Sequence, residues 1–129
     1  SAGSSTGEEA YSIAATLSGN IPKQWDAKIF ATDIDTNVVV KGQTGVYVEE
    51  RLSNLSSKLV SKHFDKVAID GATKMQVRKS LRDITFFKPL NLLQDWPMTG
   101  LFEMIFCRNV VIYFDKPTQK ILFNRFADL

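Results

Sequence analysis

The sequence predicts an α/β fold with a doubly wound, mostly parallel sheet and a small antiparallel β insertion. Short apolar runs of strand length alternate with helical stretches, and the turn signal Asp70-Gly71 between two β-like runs interrupts that alternation. The size fits as well, because 129 residues with 44% hydrophobic and 23% charged side chains suit one globular domain.

The first third of the chain is predicted to form a helix, a strand and a second helix. Residues 8–18 have helical apolar spacing, and Thr6 or Gly7 is the expected N-cap. Residues 28–32 are an apolar run of strand length. A weak helix is expected over 36–43, with Gly42 and Gly45 as the residues that end it.

The rest of the chain is predicted to contain a third helix, the insertion, two more strands and a last helix. We place the insertion at residues 65–83, within one domain that covers residues 1–129. The other elements are a helix at 56–64, strands at 84–87 and 102–107, and a helix that opens at Lys116-Pro117. The chain starts in a loop and stops in a helix, so we expect a partial domain that lacks its first strand and its C-terminal strands.

Composition excludes several classes of protein. The single cysteine, Cys107, rules out an intrachain disulfide and suits a reducing compartment, so we expect a cytoplasmic protein. No apolar run approaches the ~18 residues of a membrane span, so direct membrane insertion is not expected. No Cys/His cluster has the spacing of metal ligands, and we expect no metal.

Charge is distributed unevenly along the chain. Residues 1–50 carry a net charge of −4 and residues 58–88 carry +5. The basic block is either a solvated face or a docking surface for an acidic partner. Because few aromatic side chains lie within it, nucleic acid is not an expected partner.

The most informative chemical signal is a small-residue loop at residues 3–7 that leads into Glu8 and Glu9. Glycine lets a ligand approach the backbone closely. Two carboxylates at the start of a helix repel phosphate and favour an ammonium-bearing ligand, which points away from ATP and towards S-adenosylmethionine. The alternative is that both glutamates are only N-terminal helix acids.

Polar residues follow two other predicted strands, Asp33 in one case and Arg108-Asn109 in the other. Ligands bind at the carboxyl ends of strands in open parallel sheets, so these residues and the loop should converge. A carboxylate such as Asp33 suits ribose hydroxyls. The alternatives are that Asp33 or Asp35 caps the next helix and that Arg108 pairs with a surface carboxylate. The sequence contains neither a dinucleotide fingerprint nor a P-loop.

Four segments together resemble the CheR-type chemoreceptor glutamate O-methyltransferases. They are STGEEAYSIA, FATDIDT, the NLL of residues 91–93, and IFCRNVVIYFDKPTQ. The resemblance covers nearly the whole chain, and residues 107–114 are its most specific part. It implies a Rossmann-like S-adenosylmethionine-binding domain with a small antiparallel β-subdomain. It also implies methyl transfer to glutamate carboxylates, with S-adenosylhomocysteine as the product.

The resemblance assigns roles to individual residues. Glu9 would receive the methionine ammonium, Asp33 would hold the ribose hydroxyls, and Tyr113 would face the transferred methyl. Arg108 would line the pocket and form the candidate catalytic pair with Tyr113. The other cofactor contacts would come from Gly3, Ser4, Ser5, Thr6, Asn91, Leu92 and Asn109. The alternative for Tyr113 is a packed core residue.

The expected partner is the cytoplasmic domain of methyl-accepting chemoreceptors, whose acidic helices would suit the basic block. We expect a monomer, and we expect that residues 1–129 alone are inactive. Two alternatives stay open. One is a CheR-like module that binds cofactor or receptor without turnover, and the other is a methyltransferase that acts on a small-molecule carboxylate.

Overall fold

The computed structural model describes residues 1–22, 24–98 and 100–129. Its helices and strands are α1 (Glu8–Asn20), β1 (Ile29–Asp33), α2 (Thr36–Thr44), β2 (Val46–Tyr47), α3 (Ser57–His63), β3 (Phe64–Ile69), β4 (Ala72–Val77), α4 (Lys79–Arg82), β5 (Thr85–Pro89) and α5 (Lys116–Ala127). Short 3₁₀ helices lie at Glu49–Leu52 and Val111–Tyr113. A parallel sheet and a small antiparallel sheet are both present, so the predicted α/β fold class is confirmed.

The parallel sheet is formed by β1 and β5, and residues 1–2 extend it. Along its length, Ile29 pairs with Thr85 at one end and Asp33 with Pro89 at the other. Ala2 forms a parallel bridge with Thr32 on the other edge of β1. Residues 1–2 are therefore the neighbour of β1 opposite to β5.

The direction in which successive strands are added to the parallel sheet reverses at Ala2. Its backbone N–H points away from β1 and donates to the Phe106 carbonyl at 2.7 Å. The chain thus runs from residues 1–2 to β1, which lies on one side of them. It later returns to their other side at Phe106. This is the switch point at which open α/β sheets bind ligands.

The prediction of a strand at residues 102–107 is wrong. In the described part of the chain, the bond from Ala2 to Phe106 is the one backbone hydrogen bond that joins this segment to the sheet, and Phe102 N–H donates instead to the Leu129 carbonyl. Apolar and aromatic composition favours a strand only where a ladder of bonds is available. A single bond leaves the segment outside the sheet.

The antiparallel sheet has the order β2-β4-β3. The hairpin of β3 and β4 turns at Asp70 and Gly71, whose φ values of 52° and 74° suit a two-residue type I′ turn. The predicted hairpin is therefore correct. The prediction omitted β2, which is two residues long and pairs Tyr47 with Met75. The sheet accordingly begins well before residue 65.

Packing against the core accounts for a glycine inside helix α2. Asp35 caps its start by accepting the Asn37 N–H, and Gly45 ends it with φ 61°. Gly42 was expected to help end this helix but lies inside it, and a Cβ on it would overlap the Phe87 ring. The glycine thus serves close packing between α2 and β5, at a helix-propensity cost of about 1 kcal/mol.

Two apolar clusters hold the elements together. The larger joins α1, α2, both sheets and α4, and its buried members are Ala10, Tyr11, Ala14, Ile29, Ala31, Val39, Tyr47, Val77, Leu81 and Phe87. The smaller joins Ala2, Leu92 and Leu122 of α5. Among the described residues, no helix combines the length and the apolar character needed to cross a membrane.

Candidate functional site

The glycine loop, residues 3–7, is the part of the site that backbone hydrogen bonds attach to β1. It contains three left-handed residues, Gly3 (φ 76°), Ser5 (φ 48°) and Gly7 (φ 98°). The N–H groups of Gly3 and Ser4 both donate to the Thr32 carbonyl at 2.8 Å, which fixes the loop to β1. The backbone is therefore held in a conformation that most residues adopt only at a cost.

Packing also requires the two glycines. A Cβ on Gly3 would collide with Val110, and one on Gly7 would lie 2.8 Å from the Phe87 ring. Val110 belongs to the segment after Arg108, so the loop and that segment are in contact. The loop and the segment after Arg108 therefore converge as predicted, although residues 102–107 do not form a strand.

Asp33 closes the loop from the end of β1. Its Oδ2 accepts the Ser5 N–H at 2.8 Å, and its Oδ1 accepts the Asp35 N–H at 3.1 Å. Each carboxylate oxygen keeps a second acceptor site. Because Asp35 is the residue that caps α2, Asp33 remains available for a pair of ligand hydroxyls.

Glu8 and Glu9 point to different partners. Glu9 accepts from Ser1 Oγ at 2.8 Å and lies 3.7 Å from the Arg108 guanidinium. Glu8 accepts from Thr6 Oγ1 at 2.6 Å and lies 3.6 Å from Arg51. Glu9 is thus the carboxylate that faces the switch point.

The pair of Arg108 and Glu9 is open to exchange. The Arg108 side chain is 72% exposed and that of Glu9 21%. An ion pair with one exposed member at this distance contributes about 0–1 kcal/mol. The alternative for Arg108 was an ion pair with a surface carboxylate. Arg108 does pair with a carboxylate, but it is that of Glu9, which belongs to the site. A ligand ammonium could therefore take the place of Arg108 on Glu9 at little cost.

Ser4 has an unsatisfied hydroxyl. It is 3% exposed, and its Oγ is the one buried side-chain polar atom of the described residues without a hydrogen-bond partner. A buried hydroxyl without a partner costs about 1–3 kcal/mol. Atoms of the chain itself already cover this hydroxyl. The groups that fit an ammonium- and hydroxyl-bearing ligand are the carboxylates of Glu9 and Asp33.

Other predicted site residues are not joined to this cluster. Leu92 is buried against Ala2 and Leu122, so its side chain belongs to the smaller apolar cluster. Asn91 Oδ1 accepts the Leu93 N–H at 2.9 Å and so caps a local turn. Asn109 stands beside Arg108 in the left-handed region, with φ 57°.

Tyr113 lies in the 3₁₀ helix that precedes α5. Its side chain is 79% exposed, and no hydrogen bond joins its hydroxyl to any described residue. The alternative of a packed core residue is therefore wrong. The ring is free to meet a partner from solution.

A cavity of the described structure lies next to this cluster, and Leu92 is part of its wall. It has a volume of about 500 Å³ and is lined mainly by apolar side chains, among them Leu17, Phe30, Trp96 and Phe102. Glu9, Asp33 and Arg108 are not part of its wall. The polar side chains of the candidate site therefore lie outside this cavity.

Tyr47 is a site residue that sequence reasoning missed. Its hydroxyl donates to the Thr6 carbonyl at 2.8 Å. Burial, with the nearby Glu8 carboxylate, raises the pKa of Tyr47, so the phenol stays a donor at neutral pH. Nothing in the local sequence marks it, because it lies on a two-residue strand.

Two further titratable groups with shifted pKa values are not part of the candidate site. Burial, together with Lys62 and Arg78, lowers the pKa of His63 at the end of α3. Burial raises the pKa of the half-buried Cys107 thiol, and the Glu9 carboxylate adds to that effect. Both shifts favour the neutral form, as expected for a packed histidine and an inert thiol.

Comparison with known proteins shows which proteins this sequence is similar to. The family model described as "CheR methyltransferase, SAM binding domain" matches residues 1–129. The chain is 43% identical to a probable chemotaxis protein methyltransferase of Rhizobium etli, of which it covers 49%. It is 44% identical to the chemotaxis protein methyltransferase of Escherichia coli K12 and 44% to chemotaxis protein methyltransferase 2 of Pseudomonas aeruginosa, covering 46% and 47% of them. All of this chain is aligned in each case, and it spans about half the length of these relatives.

Proposed function

Because this chain belongs to the family of CheR methyltransferase SAM-binding domains, we propose that the protein methylates glutamate side-chain carboxylates of chemotaxis receptors. The family description confirms the predicted cofactor, S-adenosylmethionine. The relatives are named as methyltransferases of chemotaxis, which supports both the reaction and its setting.

One observation carries the proposal: three polar groups, from the start of α1, the end of β1 and the segment after Phe106, meet at the switch point of the parallel sheet. Glu9, Asp33 and Arg108 are separated in sequence, but contacts through the glycine loop bring them together. We assign Glu9 to the ammonium of the cofactor and Asp33 to its ribose hydroxyls. Gly3, Ser4, Ser5 and Thr6 supply the close backbone approach, with Asn109 beside Arg108.

Asn91 and Leu92 are assigned a more limited part in the same proposal. Leu92 is buried, so it supports the floor beneath an adenine ring rather than forming an exposed wall. The side chain of Asn91 holds the turn that carries Leu92 past the strand end. Both residues then shape the adenine end of the site.

The acceptor needs orientation more than activation. A glutamate carboxylate is ionised at pH 7, so no general base is required. When bound, S-adenosylmethionine supplies an electrophilic methyl group on a sulfonium. Arg108 orients the acceptor carboxylate with its planar guanidinium, and Tyr113 donates a hydrogen bond near the reacting atoms. The rate gain then comes from positioning and from the exclusion of water.

The basic block at residues 58–88 supplies the docking face for the receptor's cytoplasmic domain. Lys58, Lys62 and Lys66 are exposed, and none pairs with a described carboxylate, whereas Asp65 and Asp83 are engaged by neighbouring cations. The excess positive charge therefore faces solvent, where it can attract acidic helices. This partner implies a cytoplasmic location, and we propose that the protein acts there as a monomer without nucleic acid.

The proposal treats residues 1–129 as a partial cofactor-binding domain and residues 65–83 as the main part of its β insertion. The hairpin of β3 and β4 supports the second assignment. The convergence of polar residues around the glycine loop supports the first.

The experiment uses the full-length protein. Calorimetric titration with S-adenosylmethionine and S-adenosylhomocysteine measures cofactor binding, and base-labile methyl esters on receptor cytoplasmic domains measure turnover. We expect both. Failure to bind either ligand would overturn the proposal. Binding without methyl esters on receptors would favour a sensor module, and methylation of a free small carboxylate alone would favour the other enzyme class.

A further inference from the structure

The Tyr47 side chain connects the antiparallel sheet to the glycine loop. Tyr47 lies on β2, is 8% exposed, and packs edge-to-face on Tyr11 with ring centroids 6.5 Å apart. Its hydroxyl reaches across to the Thr6 carbonyl at 2.8 Å. A residue of the antiparallel sheet thus bonds directly to the cofactor-binding side of the molecule.

This bond completes a clamp around the loop. From the parallel sheet, the Thr32 carbonyl and the Asp33 carboxylate accept the N–H groups of the first three loop residues. From the opposite side, Tyr47 donates to Thr6, and a Cβ on Gly7 would lie 3.2 Å from the same hydroxyl. Both sheets therefore determine the left-handed path of the loop.

We propose that Tyr47 is a positioning residue for cofactor binding. It touches neither the reacting atoms nor the ligand, but it fixes the Thr6 carbonyl and so keeps the loop in its binding conformation before the ligand arrives. The proposal rests on the function proposed above, in which this loop binds S-adenosylmethionine. A loop ordered in advance spares the ligand the cost of ordering it.

A second contact between the same segments is weaker. Arg51, in the 3₁₀ helix after β2, lies 3.6 Å from Glu8, and both side chains are largely exposed. Exposed pairs of this kind contribute little. Of these two contacts, the bond from the buried Tyr47 hydroxyl is therefore the one that contributes to holding the loop.

Tyr11 provides a matched control for Tyr47. Both are buried tyrosines of one cluster, and each donates a single hydrogen bond to a backbone carbonyl, at 2.7 Å for Tyr11 and 2.8 Å for Tyr47. The acceptor of Tyr11 is Gly42 of α2, outside the loop. Tyr11→Phe and Tyr47→Phe thus remove similar bonds and differ in whether the loop loses one.

The test compares Tyr47→Phe and Tyr11→Phe in the full-length protein. We expect similar losses of stability in urea for the two variants. We expect Tyr47→Phe to weaken cofactor binding about fivefold, as loss of one hydrogen bond implies, and to raise the KM for the cofactor while kcat at saturation stays near wild type. Tyr11→Phe should leave both affinity and KM near wild type.

Amide hydrogen exchange of the ligand-free protein separates this proposal from the function on which it rests. Tyr47→Phe should speed exchange at Ser5 and Gly7, and Tyr11→Phe should not. Equal exchange rates in the two variants, or equal cofactor affinities where the wild type binds, would overturn the positioning role. A wild type that binds no cofactor while loop exchange still responds to Tyr47→Phe would overturn the proposed function alone.

Discussion

The two walls of the candidate site differ in hydrogen bonding and in exposure to solvent. The first wall, the glycine loop with Asp33, is held by backbone hydrogen bonds of 2.8 Å to β1, and its Ser4 is buried. The second wall, residues 108–113, has Arg108 and Tyr113 exposed to solvent. The contrast suggests that the first wall is organised in advance for a small ligand, whereas the second receives a group presented by another molecule.

The difference has a structural origin. The first wall is attached to β1 by an isolated parallel bridge and by several backbone hydrogen bonds to Thr32. The second follows residues 102–107, which one backbone hydrogen bond of the described residues joins to the sheet. A loop held by several backbone hydrogen bonds opens less readily than a segment held by one. Substitutions in the two walls should therefore have different consequences.

The largest effect should come from Gly7→Ala in the first wall. A Cβ at φ 98° and 2.8 Å from Phe87 imposes backbone strain and overpacking together. These add up to about 2–5 kcal/mol of destabilisation. Urea unfolding of the full-length protein measures it, and cofactor affinity should fall in parallel. Gly71→Ala is the control, because Gly71 is also left-handed but has open space around it.

Arg108→Lys should impair turnover without harming the fold. The substitution keeps the charge but loses the planar fork that orients a carboxylate. We expect about a tenfold loss in kcat/KM for the receptor, which corresponds to ~1.4 kcal/mol. Unfolding in urea should stay within about 0.5 kcal/mol of wild type, as for other exposed substitutions. If Arg108→Lys instead lost much stability and kept normal turnover, the proposed difference between the two walls would be contradicted.

Tyr113→Phe should give the smallest effect. Loss of one hydroxyl that donates near the reacting atoms is expected to lower kcat by about fivefold. Cofactor affinity and stability should not change, because the side chain is exposed and makes no hydrogen bond within the described structure. Unchanged methyl transfer would remove Tyr113 from the candidate catalytic pair.

Local chemistry explains what could be predicted from the sequence. The Asp70-Gly71 turn, the Asp35 cap and Pro117 in the first turn of α5 each act within a few residues, and all three are present in the structure. The contact between the glycine loop and the segment after Arg108 was also predictable, since polar residues gather at one edge of a parallel sheet. That prediction identified the correct part of the molecule even though residues 102–107 are not a strand.

Long-range contacts explain what was not predicted. Tyr47 matters through a bond to a residue 41 positions away, and no local pattern marks it. The apolar run at 102–107 has the composition of a strand but lacks a ladder. Gly42 has the appearance of a helix terminator, yet it serves contact with Phe87 of β5. In each case, tertiary packing outweighs local propensity.

The distinction between Glu8 and Glu9 is the most direct way to examine the first wall. The two carboxylates are adjacent at the start of α1, but Glu9 faces Arg108 and Glu8 faces Thr6 and Arg51. Substitution by Gln keeps the shape and removes the charge. Loss of a charge-assisted bond to an ammonium is worth about 1.5–3 kcal/mol.

Calorimetric titration of the full-length protein with S-adenosylmethionine therefore compares wild type, Glu9→Gln and Glu8→Gln. We predict that Glu9→Gln weakens binding by about 10- to 100-fold and that Glu8→Gln stays within about threefold of wild type, as loss of an exposed ion pair implies. Equal affinities for the two variants, or a larger loss in Glu8→Gln, would contradict the assignment of Glu9 to the cofactor ammonium.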